Sequence, residues 1–312
     1  MTEPRLTKQQ QRRIAAAQAE KSGDGTESGL VIARFGKRIL VEDAQGRQLS
    51  CTLRRRVEDP VAGDRVVWRR DGEAGVIEAL APRSSVIQRP NSQGRLRPIA
   101  ANLDRVLIVV APEPEPSATL IDRYLVAAHH AGIDPVLVIN KTDLLPPSGP
   151  LPEFITLYRG LGYTVIETDR DSDPKGLRLL PVVSNATLVL VGQSGVGKSS
   201  IVKRLLPGED IRIGSLSAQG NLGRHTTTTA ALYHLPNGGK LVDSPGVREF
   251  HLNHLPRDAI SGGFPEFAAY LGGCRFRDCR HQNEAGCAVL QAAAQGSISA
   301  GRLASFHAIL DT

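Results

Sequence analysis

Nine residues, GQSGVGKSS from Gly192 to Ser200, fit the pattern G-x(4)-G-K-[ST]. Gly192, Gly197, Lys198 and Ser199 hold its fixed positions, Gln193, Ser194, Gly195 and Val196 fill the interval, and Ser200 follows. Glycines at this spacing let backbone N–H groups close around phosphate oxygens, and a helix starting at the loop adds positive potential. Lys198 suits the β- and γ-phosphates of a nucleotide, and the Ser199 hydroxyl suits magnesium. The apolar run TLVLV before the loop and KSSIVKRLL after it supply the strand and helix that such a loop requires.

Two further strings specify the nucleotide. NKTD, Asn140 to Asp143, ends the apolar run VLVI. The Asp143 carboxylate can accept from guanine N1–H and from its exocyclic amine, groups that adenine lacks there. Asn140 would touch the base edge and brace the loop, Lys141 can lay its stem over the ring, and Thr142 completes the turn. DSPG, Asp243 to Gly246, ends GKLV. Its aspartate would hold magnesium through water, and the Gly246 N–H would sense the γ-phosphate. Alone, either string is a turn. Together with the phosphate loop, each at the carboxyl end of a strand, they specify GTP or GDP. Their order is inverted, because Asn140 precedes Gly192. A sheet tolerates such permutation when the original termini lie close together.

The catalytic complement is incomplete. Between the phosphate loop and DSPG runs GRHTTTT, whose threonines, Thr226 to Thr229, include one to complete the magnesium shell; Thr227 is the choice. Val247 follows DSPG where many GTPases carry glutamine, and valine cannot orient water. The catalytic set is therefore Lys198, Thr227 and His225, with a partner as the alternative to His225, and intrinsic turnover is expected to be slow.

A second chemistry lies near the end of the chain. CRFRDCRHQNEAGC gives C-x(4)-C-x-H-x(5)-C, with Cys274, Cys279, His281 and Cys287 as ligands. Three thiolates and one imidazole make a closed tetrahedral zinc site with no position for water, hence structural. Cys51 stands alone in an apolar strand and is expected as packed core.

The elements that position these residues follow from texture. Residues 1–28 are a polar, basic arm. Residues 29–88 hold five short strand-like runs (GLVIARF, KRILVED, QLSCTL, DRVVWRR and AGVIEAL), the size of an OB-fold barrel or of an SH3-like one. Residues 89–100 are a basic linker. From 101 to 251, continuous apolar strands alternate with amphipathic helices, as in a doubly wound domain around a parallel sheet. Residues 252–312 carry the Cys/His cluster and two helical segments. The fold class is thus multidomain α/β: an N-terminal OB-fold β-barrel, a circularly permuted P-loop GTPase domain, and a C-terminal zinc-binding domain with helices.

Charge adds a partner. The net charge is +6, and residues 31–99 carry fourteen Lys/Arg against eight Asp/Glu. That concentration is the footprint of a nucleic-acid contact or of a solvated basic surface. No apolar stretch reaches membrane-spanning length and the first residues are polar, so a cytoplasmic monomer without membrane contact is expected.

The strings NKTD, GQSGVGKSS, GRHTTT and DSPGVREF, followed by CRFRDCRHQNEAGCAV, resemble the bacterial small ribosomal subunit biogenesis GTPases, and the likeness spans essentially the whole chain. It implies GTP hydrolysis stimulated by the small ribosomal subunit, ribosomal RNA binding, a late checkpoint in subunit maturation, and one zinc ion on the four ligands named. Two positions depart from the family pattern. The segment backing the guanine reads VIETDRDSDPKG, in which Thr168 is the nearest equivalent, and Ala285 replaces a proline in the zinc loop. A nucleotide-controlled RNA-binding protein and a non-ribosomal signalling GTPase are the competing readings.

Overall fold

Burial alternates along Arg38–Glu42, as it must when one face of a sheet is wet and the other dry. In the computed structural model, which describes residues 25–55, 57–91, 93–207, 230–243, 252 and 254–311, contacts divide the chain into two units. One comprises 25–103, 185–187 and 230–243; the other comprises 104–184, 188–207, 252 and 254–311. His225, Thr226 to Thr229, Gly246, Val247 and most of the N-terminal arm lie outside the described residues.

The first unit opens with β1 (Thr26–Phe35), β2 (Arg38–Glu42), β3 (Gln48–Leu53), β4 (Arg65–Asp71) and β5 (Ala74–Leu80). Strand order is β1-β2-β3-β5-β4, and β4 returns to pair with β1. The first strand is long enough for both neighbours: Thr26–Leu30 pair with β4 and Leu30–Phe35 with β2, across an irregularity between Val31 and Ala33. The pair β3–β5 is parallel and the other barrel pairs are antiparallel. This closed five-stranded Greek key is the OB arrangement and removes the SH3-like alternative. Val31, Ile39, Val41, Cys51, Val66, Trp68 and Ile77 fill the interior. Trp68 fits because Gly29 and Gly75 flank it. A Cβ on Gly75 would lie 2.7 Å from its ring and 2.5 Å from Cys51 Sγ.

Residues 89–100, expected as a linker, instead belong to a hairpin of β6 (Val86–Pro90) and β7 (Leu96–Ala101). The turn is made locally. Asn91 Oδ1 accepts from the backbone N–H groups of Gln93 and Arg95, at 2.9 Å each. Buried Ile87, Ala100 and Ala101 anchor the strands, while Arg89, Arg95 and Arg97 are exposed and gave the segment its linker-like composition. The strands Ala231–His234 and Lys240–Asp243 form an antiparallel pair in the same unit, joined to β1 through Ala33 and Ala231.

The second unit is built on β8 (Arg105–Val110), β9 (Asp134–Ile139), β10 (Thr164–Glu167) and β11 (Thr187–Val191), ordered β10-β9-β8-β11 and all parallel. Val106 to Val110 are buried throughout, as the unbroken apolar run requires of a sheet covered on both faces. The helices are α1 (Ala118–Ala131), α2 (Pro150–Gly160), α3 (Leu180–Val183), α4 (Lys198–Leu205), α5 (Arg257–Gly262), α6 (Ala288–Ala294) and α7 (Ala300–Leu310). Ser117 caps α1 by accepting from Leu120 N–H, and Gly132 ends it in the left-handed conformation. The C-terminal helices pack within this unit, with α7 against α1. Arg302 of α7 is buried there. It pairs with Asp122 at 2.5 Å and Glu266 at 2.6 Å, with its guanidinium 4.4 Å from the Phe264 ring centroid.

Candidate functional site

Strand β11 delivers the chain into the Gly192–Gly197 loop, and α4 begins at Lys198. Gly192 has φ +137°, and a Cβ there would stand 2.3 Å from the Val109 carbonyl oxygen. Gly197 has φ +95°, and a Cβ there would stand 2.2 Å from Asn140 Nδ2. A side chain at either position would be strained by conformation and crowded as well, at Gly192 by backbone and at Gly197 by the Asn140 amide. Lys198 is buried, and its Nζ donates to the carbonyl oxygens of Gly192 at 2.8 Å and Gln193 at 2.5 Å. The ammonium therefore lies over the loop. Val196 is buried, whereas Ser194, Gly195, Ser199 and Ser200 are exposed.

The second loop follows β9 and meets the first directly. Asn140 is buried and donates from Nδ2 to Val196 O at 2.9 Å. Lys141 has φ +58°, which swings it out of the strand direction, and its Nζ donates to Glu113 O at 2.8 Å. Thr142 Oγ1 donates to Asp169 Oδ2 at 3.0 Å. Asp143 stands exposed in the turn Thr142–Leu144. Asp243 ends its own strand in the first unit and is buried.

Two supporting segments carry no motif. Residues 113–117, after β8, flank both loops: Gln193 Nε2 donates to Glu115 O at 3.3 Å and its Oε1 accepts from Ser117 N–H at 3.4 Å. Residues 168–173, after β10, back the NKTD turn. Thr168 is fully buried, and its carbonyl accepts from Thr142 N–H at 3.4 Å. Hydrogen bonds from the Ser172 hydroxyl and N–H hold the Asp169 carboxyl down to about 2, so it is a carboxylate. Only the position of this segment, one strand after NKTD, signals it in the sequence.

The Cys/His residues also converge. The four ligand atoms of Cys274, Cys279, His281 and Cys287 lie within 4.8 Å of one another. Cys274 Sγ is 3.8 Å from Cys287 Sγ and 3.5 Å from His281 Nδ1, which is 3.3 Å from Cys287 Sγ. Zinc–sulfur bonds of about 2.3 Å at tetrahedral angles place sulfurs roughly 3.8 Å apart, so the group fits zinc. His281 adopts φ +59°, and its carbonyl accepts from His307 Nε2 of α7 at 2.6 Å. The ligand loop is thereby tied to the last helix.

Known proteins resemble this chain over nearly its whole length. A family model described as RsgA GTPase matches residues 80–253. The small ribosomal subunit biogenesis GTPase RsgA of Pseudomonas aeruginosa strain UCBPP-PA14 is 49% identical over 313 residues, covering 99% of this chain and 92% of that protein. Its counterpart from Chromohalobacter salexigens is 47% identical over 336 residues, covering 100% and 98%. Among solved structures, YjeQ from Thermotoga maritima aligns with a TM-score of 0.74 at 30% identity, covering 92% of this chain and 99% of that one. YloQ, described as a circularly permuted GTPase, aligns with a TM-score of 0.69 at 25% identity, covering 93% and 96%. The inverted motif order and likeness over nearly the full length agree, and the chain belongs to the RsgA GTPase family.

Proposed function

We propose that this protein binds GTP on the loops around Lys198 and Asn140, hydrolyses it to GDP and phosphate, and acts in maturation of the small ribosomal subunit. The bond from Asn140 Nδ2 to Val196 O, at 2.9 Å, is the observation that supports this most directly. It joins the base-reading turn to the phosphate loop, so that one nucleotide spans both although their chain order is inverted.

In this reading Asp143 accepts from the guanine edge, Lys141 covers the base, and Lys198 moves from the loop carbonyls to the β- and γ-phosphates. Ser199 and Thr227, with Asp243 through water, would hold magnesium, and Gly246 would sense the γ-phosphate. Magnesium, when bound, offsets charge on the phosphates. The four ligands around Cys274 would hold one zinc as a structural crosslink. Val247 offers the attacking water no polar group, so the chain relies on His225 or on its partner. The basic barrel segment supports a contact with ribosomal RNA. A cytoplasmic monomer completes the proposal.

The decisive experiment compares GTP turnover with and without purified small subunits. Stimulation of at least about a hundredfold is expected, within the range a partner-supplied group can give; an unchanged rate would remove the ribosomal reading. The base reader is tested by Asp143→Asn. The amide suits xanthine, whose second carbonyl replaces the guanine amine, so preference should swing from GTP toward XTP by at least about a hundredfold. A variant that keeps its GTP preference would exclude Asp143 as the reader.

A further inference from the structure

The last turn of α4 carries Arg204, which belongs to none of the nucleotide motifs, yet its guanidinium is the point where their supports meet. Nη1 donates to Thr168 Oγ1 at 3.0 Å, to Asp169 O at 2.9 Å and to Asp173 O at 2.9 Å. Nη2 donates to Asn140 Oδ1 at 3.3 Å. We infer that Arg204 is a positioning residue for the guanine end of the nucleotide, clamping the base-reading turn and the segment behind it onto the helix that begins at the phosphates. The inference rests on the nucleotide reading given above.

The chemistry of the clamp is specific. The Asn140 amide is engaged at both ends, with Oδ1 facing the guanidinium and Nδ2 facing the Val196 carbonyl. A flipped amide would set donor against donor at Arg204 and acceptor against acceptor at Val196, so the pair fixes its orientation. Behind the turn, the Thr168 hydroxyl accepts from Arg204 and donates to Asp173 Oδ2 at 3.0 Å. Asp173 in turn accepts from Leu177 N–H at 2.7 Å, which closes the segment on itself. Asp169 links forward to Thr142. Carboxylates outnumber cations here: Asp169, Asp171 and Asp173 lie with the exposed Arg170 in the six residues behind a turn whose own reader is Asp143. One half-buried cation among them offsets their mutual repulsion, and its planar fork reaches several oxygens at once as an ammonium cannot. An arginine from a different element, the helix that begins at the phosphate loop, thus orders the segment behind the turn.

The test separates binding of the base from binding of phosphates. Full-length Arg204→Ala, Arg204→Lys and Thr168→Val proteins would be titrated with fluorescent GDP and ADP, and GTP turnover measured with small subunits. For Arg204→Ala, GDP affinity should fall about tenfold to a hundredfold, the loss expected for one or two charge-assisted hydrogen bonds. ADP affinity should hold, so that the GDP-over-ADP preference shrinks, and KM for GTP should rise while kcat stays within about twofold of the parent. Arg204→Lys should recover only part of the loss. Unchanged GDP affinity would overturn the inference, and so would an equal weakening of GDP and ADP by a variant with the parental circular dichroism, the mark of a role away from the base. Should Arg204→Ala fail to fold, Thr168→Val decides: a severalfold selective loss of GDP supports the clamp and parental binding overturns it. Failure of the parent protein to prefer GDP over ADP would instead strike the reading of the site itself.

Discussion

The barrel and the Cys/His segment use cysteine in opposite ways. Cys51 is fully buried in the barrel, packed beneath Gly75 and Trp68, and burial pushes its thiol up to about 11. It acts as a small apolar side chain. Cys274, Cys279 and Cys287 face one another and an imidazole in a stretch where Arg275, Phe276, Arg277, Asp278 and Arg280 are all exposed. Cohesion in the barrel comes from area removed from water, which is non-directional and spread over many contacts. Around the thiols, where the flanking side chains lie in water, directed metal bonds would supply the cohesion that offsets the entropy of ordering the loop.

Metal removal should therefore produce the largest effect in the molecule. Apparent zinc binding to such ligand sets is worth about 10 kcal/mol or more and appears as folding free energy. A strong chelator, or Cys279→Ser, should remove one zinc per chain and abolish hydrogen-exchange protection of the backbone between Cys274 and Cys287. The protein has a single tryptophan, Trp68, at the centre of the barrel, so its emission reports the other region alone. That emission should stay unshifted. A red shift on chelation would show that the barrel also depends on metal, and full metal occupancy in Cys279→Ser would refute the ligand set.

Next in size is Trp68→Ala. Truncating a fully buried aromatic side chain costs about 3–5 kcal/mol. The urea midpoint followed by circular dichroism should fall accordingly, while metal analysis still finds one zinc. Gly75→Ala attacks the same core from the opposite direction. The added methyl would press on Cys51 Sγ and the Trp68 ring, an overpacking of about 1–3 kcal/mol. Unaltered stability in Gly75→Ala would mean that the barrel interior is looser than its packing indicates.

The same contrast explains what was legible in the sequence. Fold class was readable because its signals are local and repeated: short apolar runs separated by Gly, Asp and Pro through the barrel, the apolar run of β8, and a Cys/His spacing confined to a few residues. Residues 89–100 read as a linker because exposed arginines dominate their composition, whereas the hairpin turn depends on one side chain, Asn91. Ties between distant positions leave no local trace. Arg302 meets Asp122 across 180 residues, and Arg204 meets Asn140 across 64, and no periodicity or motif links the members of either pair. The motif strings locate the loops, but the groups that hold those loops together come from other elements.

The smallest effect is the most discriminating test of the cysteine comparison. If Cys51 serves only as packing, its replacement should be ranked by polarity and volume and not by thiol chemistry. Cys51→Ala removes one sulfur from a full core, leaving a small void at a cost of about 1 kcal/mol. Cys51→Ser nearly preserves volume but buries a hydroxyl among Val31, Val66, Trp68 and Ile77, where an unmet hydrogen bond costs about 1–3 kcal/mol. Serine should therefore be tolerated less well than alanine in urea denaturation, with zinc content and GTP turnover unchanged in both. The reverse order would mean that the Cys51 Sγ meets a polar partner, and loss of zinc in either variant would break the division between the lone cysteine and the cluster.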